Sequence, residues 1–546
     1  MMSHDNRLTL SLALLAIVAI TVFAYYPGIT GGFYFDDEQN LLEVAALHWN
    51  ELSASNIAAT LEDAHLRSRP VSNLSLALNH LGSGLDPASY RWTNLAIHVA
   101  VGFTLFWVIT VFQRHHGIGP GNRNVALLAV LLFLVHPLNI QATTYIVQRM
   151  ASLAALFVLL CLGSYVSGRC SAERHLRFTW YAVAGICLLL AAGSKETGLL
   201  VLPLLLLYEI CFHGTAWQAV ARRAVDRAGL SVVVVGGSAL LVAIGWLVWG
   251  YSGEHLYWNE TMPGRNFSGM ERVLTQGRVQ LFYLSLLLWP VPSRLNLDHD
   301  FVVSQSLFDP ATTLLAFVVI AASIVFAIRS IRTRPVLAFP VLGYWLLHSM
   351  ESGPVNLELV FEHRMYLPMT MLALLLALNV RPQAGKRSRR TYAALMVVAA
   401  LLAVSTYQRN AVWGDPMTFY RDVAKKSPGK FRPQYNLGTH LGQSGMYDEA
   451  RTVLEQAIGI WPESSAAHNQ LGTVERMTNR PRQAEEHYRL AIRYDSQNAE
   501  ALFNLAAVLM SQGRYREQRE ILRRFVEVAP PHLEEQKQWA LQQLSR

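Results

Sequence analysis

Along the first three-quarters of the chain, long apolar runs alternate with short polar stretches, a pattern that predicts helices sized for a bilayer. Such a helix needs about 20 predominantly apolar residues. Runs approaching that length lie at residues 8–25, 93–113, 124–138, 151–167, 179–193, 196–213, 230–250, 311–328, 335–350, 366–380 and 391–407. They predict roughly eleven spans. The first follows Arg7 and has no small-residue cleavage site after it, so it reads as an uncleaved span. The run Val279–Pro290 is too short to cross and reads as re-entrant or interfacial.

From residue 431 the runs give way to a polar, helical pattern that repeats every 34 residues. Leu437-Gly438 aligns with Leu471-Gly472 and Leu505-Ala506, Ala450 with Ala484, and Leu454 with Tyr488 and Leu522. Small residues at such positions let paired helices approach, and large apolar ones fill the space between them. The register resembles three tetratricopeptide repeats, at 431–464, 465–498 and 499–532, followed by a C-terminal helix. Arrays of this kind usually bind peptides or proteins, with a plain spacer as the alternative. The expected fold class is all-α. A polytopic membrane bundle at 1–407 carries an external loop at 26–92, residues 408–430 link it onward, and 431–546 form an α-solenoid.

Composition supports a membrane protein: 52% of the 546 residues are apolar and 15% charged, where soluble domains carry about a quarter charged. A net charge of +8 raises nucleic acid as a partner, but the basic residues fall in short clusters between the apolar runs. Five linkers hold them: Arg114 and Arg123; Arg169, Arg174 and Arg177; Arg222, Arg223 and Arg227; Arg329, Arg332 and Arg334; Arg381, Lys386, Arg387, Arg389 and Arg390. Lysine and arginine are retained on the cytoplasmic side, so these clusters read as topology signals. With 279–290 not crossing, the amino terminus is inside and everything after 407 outside. Cys161, Cys170, Cys187 and Cys211 form no CxxC pair and support neither a zinc site nor a disulfide framework. Walker A, HExxH, GxSxG and GxGxxG signatures are absent.

The linkers opposite the arginine clusters collect the residues with chemistry. Asp36-Asp37-Glu38 follows the first span, and carboxylates there are costly unless solvated or used by a site. An adjacent pair withdrawn from water suits a general base, and it equally suits a divalent cation; which of Asp36 and Asp37 acts stays open. His136, Gln148, Arg149, Lys195, Glu196 and Arg69 stand at other linkers on that face, with Arg278 in the long linker 251–310. Arginine and lysine there either grip a phosphate or snorkel to the interface. Glu362, His363, Arg364 and Tyr366 concentrate polar groups where a span begins, which a helix cap would also explain. Asn94 and His98 share a helical face and read as an interhelical hydrogen bond.

These blocks together resemble the GT-C class of polytopic glycosyltransferases, and most of all the transmembrane and tetratricopeptide-repeat O-mannosyltransferases and their bacterial relatives. The resemblance runs through FYFDDEQNLL at 33–42, RPVSNLSLALNH at 69–80, HPLNIQATTYIVQRMASLAALF at 136–157, SKETGLLVLPLLLLYE at 194–209, RVLTQGRVQLFYLSLLLWP at 272–290, EHRMYLP at 362–368 and the terminal repeats. It implies transfer of a hexosyl or pentosyl group from a polyprenyl-phosphate carrier to a hydroxyl, serine or threonine of a protein foremost, on the extracytoplasmic face. By the same resemblance the acidic motif corresponds to Asp36 and Asp37. Charge and side suggest Arg149, Lys195 and Arg364 for the donor phosphate. Gln141 departs from the eukaryotic members, which have an acid there, and this favours a bacterial-type substrate and an inner-membrane protein with periplasmic repeats. An O-antigen-type polymerase or ligase and a non-catalytic scaffold working through its repeats are the alternatives.

Overall fold

The structure, a computed structural model, describes residues 4–64, 67–116, 123–224, 258–261, 265–380 and 386–545. The expected span at 230–250 and the basic residues Arg227 and Arg381 lie outside the described residues. The chain divides into two compact units, one of Met1–Leu297 with Phe301–Asp415 and one of Asp298–Asp300 with Pro416–Arg546.

In the first unit seven helices are long and apolar enough to cross a membrane: Leu8–Gly28, Pro87–His115, Ile146–Cys170, Arg174–Ser194, Glu196–His213, Thr312–Ser330 and Arg389–Trp413. An eighth span is formed if Arg123–Leu134 and Pro137–Thr143, bent by 54°, count as one. The bend falls at His136-Pro137, where proline has no amide hydrogen to continue the helix. The expected spans 335–350 and 366–380 are helices of only 14 residues, Pro335–His348 and Tyr366–Asn379. At 1.5 Å per residue each is about 21 Å long, against a hydrocarbon core of about 30 Å. Ten of the eleven expected spans fall among the described residues, where seven or eight helices are long and apolar enough to cross.

The run 279–290 also differs from expectation. It is the second half of a 20-residue helix, Gly269–Leu288, started by a capping box between Ser268 and Glu271. Arg272, Gln276 and Gln280 form a polar stripe at four-residue spacing along it, which lowers its apolarity and hid its length in the hydropathy pattern.

Burial separates the centre of the unit from its margin. The Ile146–Cys170 window is 72% buried, whereas that of Arg389–Trp413 is 11% buried, so the first is the central pillar and the second peripheral. Leu315, Val318, Phe326, Val397 and Leu401 stand exposed on the peripheral helices. An apolar exterior of this extent belongs in lipid, as expected of a multi-pass membrane protein.

The second unit is a solenoid of helix pairs: Phe431–Gln443 with Tyr447–Ile460, Ser465–Met477 with Pro481–Tyr494, and Ala499–Ser511 with Tyr515–Val528, closed by Glu534–Ser545. The aligned small and large residues pack as the repeat requires: a Cβ on Gly472 would stand 2.8 Å from the Tyr488 ring. Residues 408–430, expected as a linker, are largely helical. The last helix of the first unit runs to Trp413, and Pro416–Lys426 joins the solenoid, where Gln434 Nε2 donates to Ala424 O at 3.0 Å.

Candidate active site

The acidic motif sits in a turn whose shape separates its two aspartates. Gly31 lies where a Cβ would come within 2.0 Å of Trp413 O, so only glycine permits this approach. Tyr34 Oη donates to the same carbonyl at 2.6 Å. Phe35 then takes φ = 47°, left-handed backbone that a bulky residue adopts only when its surroundings enforce it. Asp37 closes the turn on itself: Oδ2 accepts from Tyr34 N at 3.0 Å and Oδ1 from Val147 N at 2.8 Å. Its carboxyl is fully buried, and burial pushes its pKa up to about 7 against the opposing pull of those amides and Arg91. Asp36 donates its amide to Tyr145 Oη at 2.7 Å and is among the residues that line a cavity.

That cavity has a volume of about 380 Å³, within the range of about 300–1,000 Å³ typical of small-molecule sites. Four separate linkers supply its polar lining: Asp36, Asn40 and Arg69; Gln148; Lys195, Glu196 and Thr197; and Glu351, His363 and Arg364. Met150, Leu199, Leu200, Pro203, Val355 and Leu357 add apolar wall. Of the fourteen expected site residues, Asp36, Arg69, Gln148, Lys195, Glu196, His363 and Arg364 are therefore brought together.

Their partners differ in kind. Arg69 is held by Glu196, Nε to both carboxylate oxygens at 3.0 Å, and Lys195 Nζ lies 2.6 Å from Glu351 Oε1. Arg364 donates only to backbone, Nη1 to Glu358 O at 2.7 Å and to Leu359 O at 3.2 Å. Its Nε, His363 Nδ1 and Gln148 Oε1 are buried with no hydrogen-bond partner among the described residues. Three unsatisfied buried atoms on residues that line one cavity are costly unless a ligand completes them. Burial, reinforced by Lys195, drives the His363 pKa well below its usual value, so its ring is neutral. Burial likewise lowers Lys195, with Arg69 adding to that and Glu351 opposing it. Burial alone would raise Glu351, but Lys195 and Arg364 outweigh it and hold the carboxyl at about 2.

The remaining expected residues have structural duties. Arg149, expected at the phosphate, is fully buried, with Nε donating to Asn94 Oδ1 at 2.5 Å, Nη1 to Ser75 O at 2.9 Å, and Nη2 to Asn79 Oδ1 at 2.7 Å and Tyr90 O at 3.1 Å. Four of its five N–H donors are thus engaged within the protein, and it is not among the residues that line the cavity. His136 caps the turn after the bend, Nδ1 accepting from Leu138 N while Nε2 reaches Leu287 O at 3.0 Å. Tyr366 Oη bonds His98 Nδ1 at 2.6 Å, so the interhelical bond expected of His98 is made to it, while Asn94 serves Arg149. Glu362 Oε1 accepts from Asn296 N at 2.7 Å. Arg278 binds Val302 O at 2.9 Å, and neither it nor the exposed Glu38 lines the cavity. Each Asp37 oxygen accepts one backbone amide. Among the described residues no three His, Cys, Asp or Glu side chains converge as a metal set.

Two functional residues escaped the sequence reading. Glu351 lies in the same linker as His363 and Arg364, so the topology map held its signal. Arg91, inside a span, donates to Gly31 O, Gly32 O and Thr144 O and so braces the acidic turn, a role its surroundings alone reveal. The wall 351–361 is itself pinned by the polar stripe of helix Gly269–Leu288. Arg272 Nη2 donates to Glu351 O at 2.8 Å, Gln276 to Leu359 O at 2.8 Å and Gln280 to Ser352 Oγ at 2.8 Å.

Fold and site define a multi-pass helical membrane protein with a tetratricopeptide array and an internal ionic cavity. Tetratricopeptide-repeat models match residues 430–497 and 478–532. The chain is similar to the protein O-mannosyl-transferase TMTC3 of Homo sapiens, 23% identical over 511 residues covering 87% of this chain and 54% of that protein. It is likewise similar to the protein O-mannosyl-transferase Tmtc3 of Drosophila melanogaster, 24% identical over 553 residues, 87% of this chain and 58% of the other. With the protein O-mannosyl-transferase TMTC2 of Homo sapiens the identity is 29% over 262 residues, 45% of this chain and 29% of that protein. The resemblance expected from the motifs is thus found, and the chain spans about half the length of the curated relatives it matches.

Proposed function

We propose that this protein is a membrane glycosyltransferase that moves a sugar from a polyprenyl-phosphate carrier to a protein hydroxyl, with inversion at the anomeric carbon. The observation that carries this reading is the pairing, around one cavity, of Asp36 with buried Arg364, whose Nε has no hydrogen-bond partner among the described residues. Similarity to proteins named O-mannosyl-transferases supports the reaction class. Asp36 is the base and Asp37 the residue that shapes its turn. Asp36 takes the acceptor proton as the hydroxyl oxygen bonds to the anomeric carbon, and the bond from that carbon to the phosphate oxygen breaks, its electron pair staying on the phosphate. Arg364 steadies the charge that develops there, and neutral His363 adds a hydrogen bond. The apolar wall suits the first carbons of the carrier. The arginine clusters orient the cavity to the extracytoplasmic side, and the repeats present the acceptor.

Glycopeptide profiling of extracytoplasmic proteins from cells carrying wild type, a deletion or Asp36→Asn tests the reading. A hexose- or pentose-sized increment on serine or threonine that disappears in both altered strains supports it. Unchanged protein glycans with altered lipid-linked glycans overturn the acceptor, and no change in either overturns the enzyme.

A further inference from the structure

We propose that Glu351 is a positioning residue that holds Lys195 in reserve, releasing it to the phosphate as the sugar departs. The inference rests on the donor chemistry proposed above. Three cations line the cavity, and they are not equally available. Arg69 is clamped by both oxygens of Glu196, Lys195 is in contact with Glu351, and Arg364 has only backbone carbonyls as acceptors. Arg364, which feels Glu351 without direct contact, is thus the more open to an anion, and Lys195 is masked.

A sugar phosphodiester carries one negative charge. When the bond between the anomeric carbon and the phosphate oxygen breaks, the electron pair stays with that oxygen and the product monoester carries a second charge. Arg364 answers the first charge. Lys195 can answer the second only by leaving Glu351, a half-buried carboxylate that a monoanion does not outcompete and a dianion does. An interaction made only as charge develops raises the rate, whereas a free lysine would grip donor and product alike and slow release. A space of about 10 Å³ bordered by Lys195, Thr197, Glu351, His363 and Arg364 adjoins the ion pair. That is about the room one water needs, so packing does not lock the lysine in place.

The test uses the full chain in detergent, with citronellyl phosphate as the monoester and citronellyl mannosyl phosphate as the diester. Glu351→Gln is expected to bind the diester at least tenfold more tightly, lowering KM, while kcat falls about tenfold as monoester release slows. Lys195→Met is expected to weaken the monoester at least tenfold and the diester less than twofold. If Glu351→Gln does not fold, the double variant Lys195→Met/Glu351→Gln removes both charges and leaves neither unpaired; it should bind the diester as wild type does and the monoester tenfold more weakly. An unchanged ratio of the two affinities in Glu351→Gln, or equal weakening of both in Lys195→Met, overturns the reserve role while the glycosyltransferase reading stands. Wild-type protein that binds neither ester overturns both.

Discussion

Asp37 Oδ1 accepts the Val147 amide at 2.8 Å, tying the loop after the first span to the turn that begins the central pillar. This bond makes Asp37 part of the scaffold and leaves its neighbour Asp36 to the cavity.

The two aspartates should therefore fail in different ways. Asp36→Asn is expected to lower transfer by at least about 10²-fold, the usual scale of general-base loss, with an unchanged thermal midpoint in detergent. Asp37→Asn should lower the midpoint, because an amide nitrogen faces one of the two backbone donors. Equal loss of activity with equal stability in both variants would contradict the assignment.

Asp37 also sets a pH dependence. Its pKa is raised to about 7 by burial, so the stability it contributes is complete below the unfolded value of about 4 and is lost as pH rises towards 7. Thermal midpoints measured between pH 4 and 8 should show this decline in wild type and a flatter profile in Asp37→Asn.

At Arg364 the geometry of the fork matters as well as its charge. Lysine keeps the charge but loses the Nε that has no hydrogen-bond partner among the described residues, so Arg364→Lys should not rescue Arg364→Met. Both are expected to raise the donor KM by about tenfold or more, the scale of one charge-assisted hydrogen bond. A lysine variant with wild-type KM would show that Nε is not used.

Arg149 should behave as a structural residue. Removing it strands Asn79, Asn94 and two carbonyls, each stranded group costing about 1–3 kcal/mol, so Arg149→Met should accumulate poorly and unfold at lower temperature. Normal accumulation with selective loss of donor binding would return Arg149 to the site.

In the solenoid, Gly472→Ala would place a methyl 2.8 Å from the Tyr488 ring. Overpacking of this kind costs about 1–3 kcal/mol, and unfolding of residues 416–546 followed by protease resistance should reveal it. The cavity is lined without residues from this segment, so donor binding should be unaffected.

The spacing of apolar runs and arginine clusters told which linkers share a face, and seven residues chosen on that ground do line one cavity. The same reasoning also chose Arg149, His136 and Tyr366, which do not line that cavity, because charge and side locate a residue to a layer and not to a partner. A proline bend divides one expected span and two others are short helices, and a polar stripe along helix Gly269–Leu288 hid its first half from the apolar pattern.

From sequence alone came the helical membrane bundle, the 34-residue array and the family resemblance, since each rests on a period or an order of motifs that the linear chain carries. Which aspartate faces the cavity, which arginine keeps a free donor and which carboxylate holds Lys195 were decided only in three dimensions. The physical reason is that a side chain's role depends on who satisfies it. The partners of Asp37, Arg149 and Lys195 lie 110, 55 and 156 positions away.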